Sequence, residues 1–344
     1  MKALILYKPG RMVELIEKAV PTIKEDEVLL RVKAATICYT DFEIMEGGKA
    51  EPWVRYPLVP GHEFSGIIES CGGNVKHLKP GDRVTAGSIV HCGQCTNCRT
   101  GKTNICVNFD EMGSLRDGGF EEYASVPAII LHRINDNLSF EEAALAEPAA
   151  CAYSAVVHSA IHPGDRVVVI GPGPIGLLAV QFAKLRFPSC VILIGTRDER
   201  LKMGRELGAT NIINITREDA RSILPDITGG LGPNVIIQCA NTRSAVELAI
   251  DIAGRDSKVV FEGTTGKKEK IELVIDDFII KPLQLIGVNG FTQKEYTEAF
   301  ELIQSGVVNV QPLITHRFSL DEYLLAFETV RSRKGGAIKV AFLP

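Results

Sequence analysis

The stretch VVVIGPGPIGLLAVQFAKL (167–185) decides the fold. Its first four residues are apolar without alternation, the pattern of a parallel strand covered on both faces. Gly171-Pro-Gly173-Pro174-Ile175-Gly176 follows at once, and from Pro174 onward the apolar residues continue at helical spacing. Proline at the start of a helix costs no hydrogen bond, so Pro174 suits a first turn. A strand, a glycine turn and a helix in immediate succession open a βαβ unit. The alternation then repeats. Strands are predicted at VILIG (191–195), NIINI (211–215), NVIIQCA (234–240), KVVFEG (258–263) and LQLIGV (283–288), with helices at DERLKMGREL (198–207) and SAVELAIDIA (244–253). Strand alternating with helix predicts an α/β class, with a doubly wound parallel sheet of the Rossmann type over 151–289.

Upstream, residues 1–150 carry short strand patterns broken by Gly and Pro, among them EVLLRVKAATI (27–37), FSGIIES (64–70) and PGDRVTAG (80–87). That texture predicts a second, mostly β domain. A helical pattern opens near Ser139, with a break expected at Pro148. Residues 290–344 return to mixed texture, with helices near 293–305 and 320–332 and a last strand in AIKVAFL (337–343), and are expected to fold back onto the first domain.

The formal charge is −4, from 38 basic and 42 acidic residues. Such a balance gives no electrostatic footprint for nucleic acid or a membrane surface. No apolar run approaches the ~18 residues of a membrane span. The opening MKALILYKPGRMVEL reads as a strand rather than a secretory signal, which points to the cytoplasm. Nine cysteines, an odd number, then favour metal ligation or free thiols over a disulfide framework.

The three glycines have separate physical tasks. Gly171 permits the tight turn, Gly173 lets a pyrophosphate approach the backbone, and Gly176 allows close packing of strand and helix, whose N-terminus faces the phosphate charge. Pro174 and Ile175 complete the loop. The end of the second strand selects the cofactor: an acidic side chain there binds both ribose hydroxyls of NAD. Here it reads Gly195-Thr196-Arg197. With no acid to repel a 2′-phosphate and a guanidinium to bind one, NADP(H) is favoured over NAD(H). Against it, Asp198 and Glu199 stand close enough in sequence to bend back towards the ribose.

Cys92-x2-Cys95-x2-Cys98-x7-Cys106 is the sharpest metal signal. Four thiolates at this spacing close a tetrahedron around Zn²⁺ and leave no open position, so a lobe over 91–107 is expected to hold a structural ion. Cys38, His62 and Glu147 are scattered, and each alone reads equally as a buried thiol, a surface histidine or a helix-start carboxylate.

Gly61-His62-Glu63-Phe-Ser-Gly66, five residues, then Gly72-Gly-Asn-Val75 resembles the signature of the zinc-containing medium-chain alcohol dehydrogenases. Cys38-x-Thr40-Asp41, the four-cysteine lobe, PGDRV and GPGPIG extend the resemblance over essentially the whole chain, with a texture similar to the sorbitol and threonine dehydrogenase branch. It implies a GroES-like catalytic domain over 1–150. It also implies a catalytic zinc held by Cys38, His62 and Glu147, with Glu63 beside it, near enough to replace or hydrogen-bond the zinc-bound water. Zinc then acts as a Lewis acid while hydride passes between the substrate and the nicotinamide, and Thr40 matches the family's proton-relay hydroxyl. Glu43 stands where many relatives carry a histidine as the next relay member. Gly290-Phe291-Thr292 replaces an Arg-aromatic pair of polyol-oxidising relatives. The expected activity is oxidation of a polyol or secondary alcohol, or reduction of its ketone, by a homodimer or homotetramer. The alternatives are an NAD-dependent amino-alcohol dehydrogenase resembling threonine dehydrogenase and, more remotely, a non-catalytic scaffold or cofactor-binding member.

Overall fold

The computed structural model describes residues 1–49, 52–265 and 269–344. Met1–Pro148 together with Phe291–Pro344 form one compact unit, and Ala149–Gly290 form a second.

In the first unit, strand Glu27–Thr36 is the hub. Val28, Leu30 and Val32 alternate inward and are buried in the core, the two-residue period of a strand with one face on a core. It pairs antiparallel with Glu63–Cys71, with Tyr123–Pro127 and with Lys339–Phe342. Arg83–Ala86 and Leu131–Arg133 extend the sheet on one side, and Ile314–Phe318 on the other. The C-terminal segment adds Leu320, Phe327, Val340 and Phe342 to the core formed by Leu4, Leu30, Phe64 and Phe120.

The helical region after Ser139 breaks at Leu145, earlier than the proline suggested: helix Phe140–Ala144 ends there and Ala146–Ser159 begins. Pro148 lies in the first turn of that second helix, where its missing N–H has no intrahelical partner to lose. Glu147 therefore sits at a helix N-terminus, where negative charge is favoured.

In the second unit six parallel strands lie in the spatial order Asn211–Asn214, Cys190–Gly195, Arg166–Ile170, Val235–Gln238, Lys258–Phe261, Gln284–Gly287. Chain order reverses on either side of Arg166–Ile170, so the glycine loop that follows this strand opens at the switch point of a doubly wound sheet. Helices absent from the sequence reading also occur, at Ala220–Thr228 and Ile275–Ile280. The first carries Pro225 in its interior, which masked its helical pattern. Among the described residues no helix is long and apolar enough to cross a membrane.

Helix Gln293–Gln304 packs on strand Leu131–Arg133. His132 lies 4.7 Å from the Tyr296 ring, and Gln293 Nε2 stands 2.7 Å from His132 Nε2. Burial pushes His132 down to about 4, and a neutral ring is what the amide donor of Gln293 requires. Between pH 6.5 and 4 the unfolded chain binds the proton that the folded state refuses. The stability linked to His132 is thus present above pH 6.5 and lost as pH falls through 4. The expected loss is up to about 3 kcal/mol at about 1.4 kcal/mol per pH unit. Urea titrations at pH 7, 5.5 and 4 should show a flatter decline in His132→Gln; an unchanged pH slope would remove His132 from the account.

Candidate active site and metal centres

The glycine loop is built as close packing requires. Gly171 has φ +104°, and a Cβ there would fall 2.9 Å from Ala240 Cβ; one at Gly176 would fall 1.9 Å from the Gly171 carbonyl oxygen. Gly173 faces open space, with nothing within 4 Å of its Cβ position. It N-caps helix Pro174–Lys184, with Pro174 in the first turn. Backbone donors and the positive end of the helix therefore face a place that a phosphate can enter.

At the second strand's end, Thr196 and Arg197 are exposed. The Asp198 carboxylate accepts a hydrogen bond from Asn214 Nδ2 at 2.6 Å and pairs with Arg217. The Asn214 hydrogen bond, aided by Arg217, holds this carboxyl below its usual range.

Cys92, Cys95, Cys98 and Cys106 bring their sulfurs within 4.8 Å of one another. Individual separations are 3.5 Å (Cys95–Cys98), 3.9 Å (Cys95–Cys106) and 4.0 Å (Cys92–Cys98). Four sulfurs each about 2.3 Å from one zinc stand about 3.8 Å apart, so the donor set fits that ion and leaves no room for a further ligand. None of the nine cysteines is in a disulfide. The short pair Ile89–Val90 and Asp110–Glu111 closes the base of the lobe. Backbone N–H groups of Cys92 and Cys95 point at sulfurs, as suits thiolate acceptors.

A second group joins Cys38, His62 and Glu63, whose ligand atoms also lie within 4.8 Å of one another. Cys38 N-caps helix Tyr39–Glu46. Asp41, fully buried, organises the group: its carboxylate accepts from the Cys38 N–H at 2.8 Å and the Gly61 N–H at 3.3 Å, and approaches His62 Nδ1 at 3.5 Å. A carboxylate on one ring nitrogen orients the other towards a metal. Burial opposes a charge on His62, but Cys38 and Asp41 outweigh it and push its pKa well above the imidazole range.

Glu63 and Glu147 stand differently from the arrangement the resemblance implies. Glu63 is the carboxylate in the tight group, and Glu147 lies outside it, buried, accepting from Ser88 Oγ at 2.6 Å. Burial lifts Glu147 to about 7, with His62 pulling it down and Glu63 pushing it up. Glu63 is held by the Lys339 ammonium and the Thr36 hydroxyl. Thr40 Oγ1 lies 3.7 Å from Cys38 Sγ. Glu43, half-buried, is three residues further along the same helix, a spacing that puts both on one face.

Asp41, Ser88, Thr36 and Lys339 were given no role by the sequence. Asp41 had a local signal, three residues after Cys38. Lys339 had none, since 276 residues separate it from Glu63.

Residues 24–136 match the alcohol dehydrogenase GroES-like domain and 174–305 the zinc-binding dehydrogenase domain. The chain is 34% identical to L-threonine 3-dehydrogenase of Bacillus subtilis (strain 168), over 100% of this chain and 99% of the relative. It is 32% identical to sorbitol dehydrogenase of Halalkalibacterium halodurans, with the same coverage. A solved structure described as a zinc-binding dehydrogenase, from Sinorhizobium meliloti 1021 and bound to NADP, superposes with a TM-score of 0.92. It is 31% identical, with 100% of this chain and 99% of that one covered. The chain belongs to the zinc-containing medium-chain alcohol dehydrogenase family, a family of oxidoreductases.

Proposed function

We propose that this chain is an NADP(H)-dependent dehydrogenase of a polyol or secondary alcohol, with one catalytic and one structural zinc. The observation that carries it is the pair of separate donor sets, one closed with four sulfurs and one mixed, with a hydroxyl at its side. Cys38 and His62 hold the catalytic ion; Glu147, bonded to Ser88 outside the tight group, is its third ligand by the family resemblance, and Glu63, inside that group, is the adjacent carboxylate. Cys92, Cys95, Cys98 and Cys106 hold the structural one. Bound there, zinc supplies a Lewis acid for the substrate oxygen, and the nicotinamide supplies the hydride partner. Asp41 fixes the ring of His62. Lys339 and Thr36 restrain Glu63. Thr40 Oγ1 takes the substrate hydroxyl proton, and Glu43 is the next acceptor outward.

A panel of polyols, secondary alcohols and L-threonine, each with NAD and NADP, tests the reading. The similarity to L-threonine 3-dehydrogenase supports an amino-alcohol substrate as the second reading; turnover confined to L-threonine with NAD selects it.

For the cofactor, Gly195, Thr196 and Arg197 support a 2′-phosphate, and of the two competing carboxylates, Asp198 and Glu199, the first is engaged by Asn214 and Arg217. A charge-assisted contact of about 1.5–3 kcal/mol corresponds to roughly 10- to 150-fold in affinity. Arg197→Ala should weaken NADPH by about that factor and NADH little; equal losses, or an NADH preference in the parent protein, reject the phosphate reading. A homodimer or homotetramer is supported by the exposed apolar side chains Val274, Ile275, Ile279 and Ile280 beside the open edge strand Gln284–Gly287, and sedimentation measures it directly.

A further inference from the structure

We infer that Pro172, inside the glycine loop, is a specificity-determining residue that keeps position 195 a glycine and so bars the acidic ribose anchor that selects NAD. The inference rests on the dinucleotide reading of the loop and goes beyond it by assigning the selection to a contact between two backbone segments.

A Cβ placed on Gly195 would lie 2.5 Å from both Cγ and Cδ of Pro172. Real side chains do not approach that closely, so one partner must move, and neither is free to. Pro172 is a ring closed onto its own backbone nitrogen, with φ fixed, so it cannot swing aside as a flexible side chain does. Its neighbour Gly171 is hydrogen-bonded to the second strand, Gly171 N donating to Ile194 O at 2.9 Å. That bond lays the loop against the strand one residue before the contact. Gly195 is held from its other side, its carbonyl accepting from Ile215 N at 2.9 Å. Its strand is in parallel register with both neighbours, Ile170↔Ile194 and Gly195↔Asn214. The next nearest atom, Leu201 Cδ2 at 3.3 Å, is the tip of a side chain and can yield. The obstacle is therefore the proline ring alone.

Gly195 is thus more than a missing acid. An aspartate put there meets Pro172 before its carboxylate reaches a ribose. Cofactor choice in this chain is set by two positions in contact, and a change at the strand end is expected to fail unless the loop changes with it.

The test is a double-mutant cycle on the full-length, zinc-loaded protein, with Kd for NADH and NADPH and thermal midpoints measured on every variant. Pro172→Ala alone sets the reference Kd values against which the double variant is read. Gly195→Asp alone should weaken both cofactors at least tenfold, with no gain for NADH. The double variant should bind NADH about 10- to 150-fold more tightly than Gly195→Asp, the range of one charged hydrogen bond, and should prefer it to NADPH. Gly195→Asp binding NADH as well in the parent as in the Pro172→Ala background overturns the inference. So that a folding failure of Gly195→Asp leaves the contact testable, Gly195→Ala is carried through the same cycle by melting. It should lower the midpoint by several degrees in the parent and clearly less in the Pro172→Ala background. Equal losses in the two backgrounds overturn the contact whatever the cofactor. If the parent binds neither dinucleotide, the dinucleotide reading falls and the inference with it; the melting cycle shows separately whether the contact exists.

Discussion

Glu147→Ala should release one zinc per chain and lower turnover about a thousandfold while the other zinc stays bound. Glu147 is 6% exposed, and burial raises its carboxyl to about 7. A carboxylate so placed stays charged only where cations and donors compensate it, and here Ser88 donates one hydrogen bond while His62 and Lys339 supply positive charge. Alanine leaves Cys38 and His62 with Glu63 and Asp41 as neighbouring carboxylates, and Asp41 is engaged by the Cys38 and Gly61 N–H groups. Glu63 is not free to substitute, because Lys339 and Thr36 hold it. Several kcal/mol of charge stabilisation are then lost, at one decade of rate per about 1.4 kcal/mol. Elemental analysis and kcat on the same sample check this. A variant that keeps two zincs and full turnover takes Glu147 out of the ligand set.

Cys95→Ser should act on folding rather than on chemistry. Cys95 sits centrally, its sulfur 3.5 Å from that of Cys98 and 3.9 Å from that of Cys106. It also N-caps the short helix Thr96–Arg99, accepting from the Cys98 N–H. The thiols are tuned apart: backbone N–H groups of Gln94 and Cys95 bring Cys92 down to about 6, while burial takes Cys98 up to about 12. Four thiolates at such distances repel one another unless a cation binds them, so metal and lobe fold together. Structural zinc contributes about 10–16 kcal/mol to comparable small sites, and serine is a poor substitute for a thiolate ligand. The lobe is tied to the rest of its unit by Gln293 N donating to Thr103 Oγ1 at 2.8 Å, so its collapse reaches helix Gln293–Gln304. The expected result is loss of one zinc, a midpoint lowered by ten degrees or more, and protease cleavage within 91–107, with kcat per remaining catalytic zinc little changed. An unchanged midpoint would show that the lobe needs no ion.

The pieces legible in the sequence are those whose partners are close along the chain. The glycine loop declares itself because turn, helix start and strand packing lie within six residues. The cysteine lobe does so because its four sulfurs fall within fifteen. Buried parallel strands announce themselves by runs such as Val167–Ile170, since a strand covered on both faces has no polar side. The break at Leu145 was misplaced because proline in a first helical turn and proline at a break give the same local signal.

What only the tertiary structure decided are the contacts set by sheet register and by the return of the C-terminus. Thr36 meets Glu63 because their strands pair in that register. Lys339 reaches Glu63 because the last strand joins the sheet beside Glu27–Thr36. Ser88 and Glu147 meet across 59 residues of chain, and Pro172 covers Gly195 because two parallel strands run side by side. A residue's type limits which bonds it can make. Its partner, when distant in sequence, is chosen by the burial of whole faces, and no local pattern records that choice.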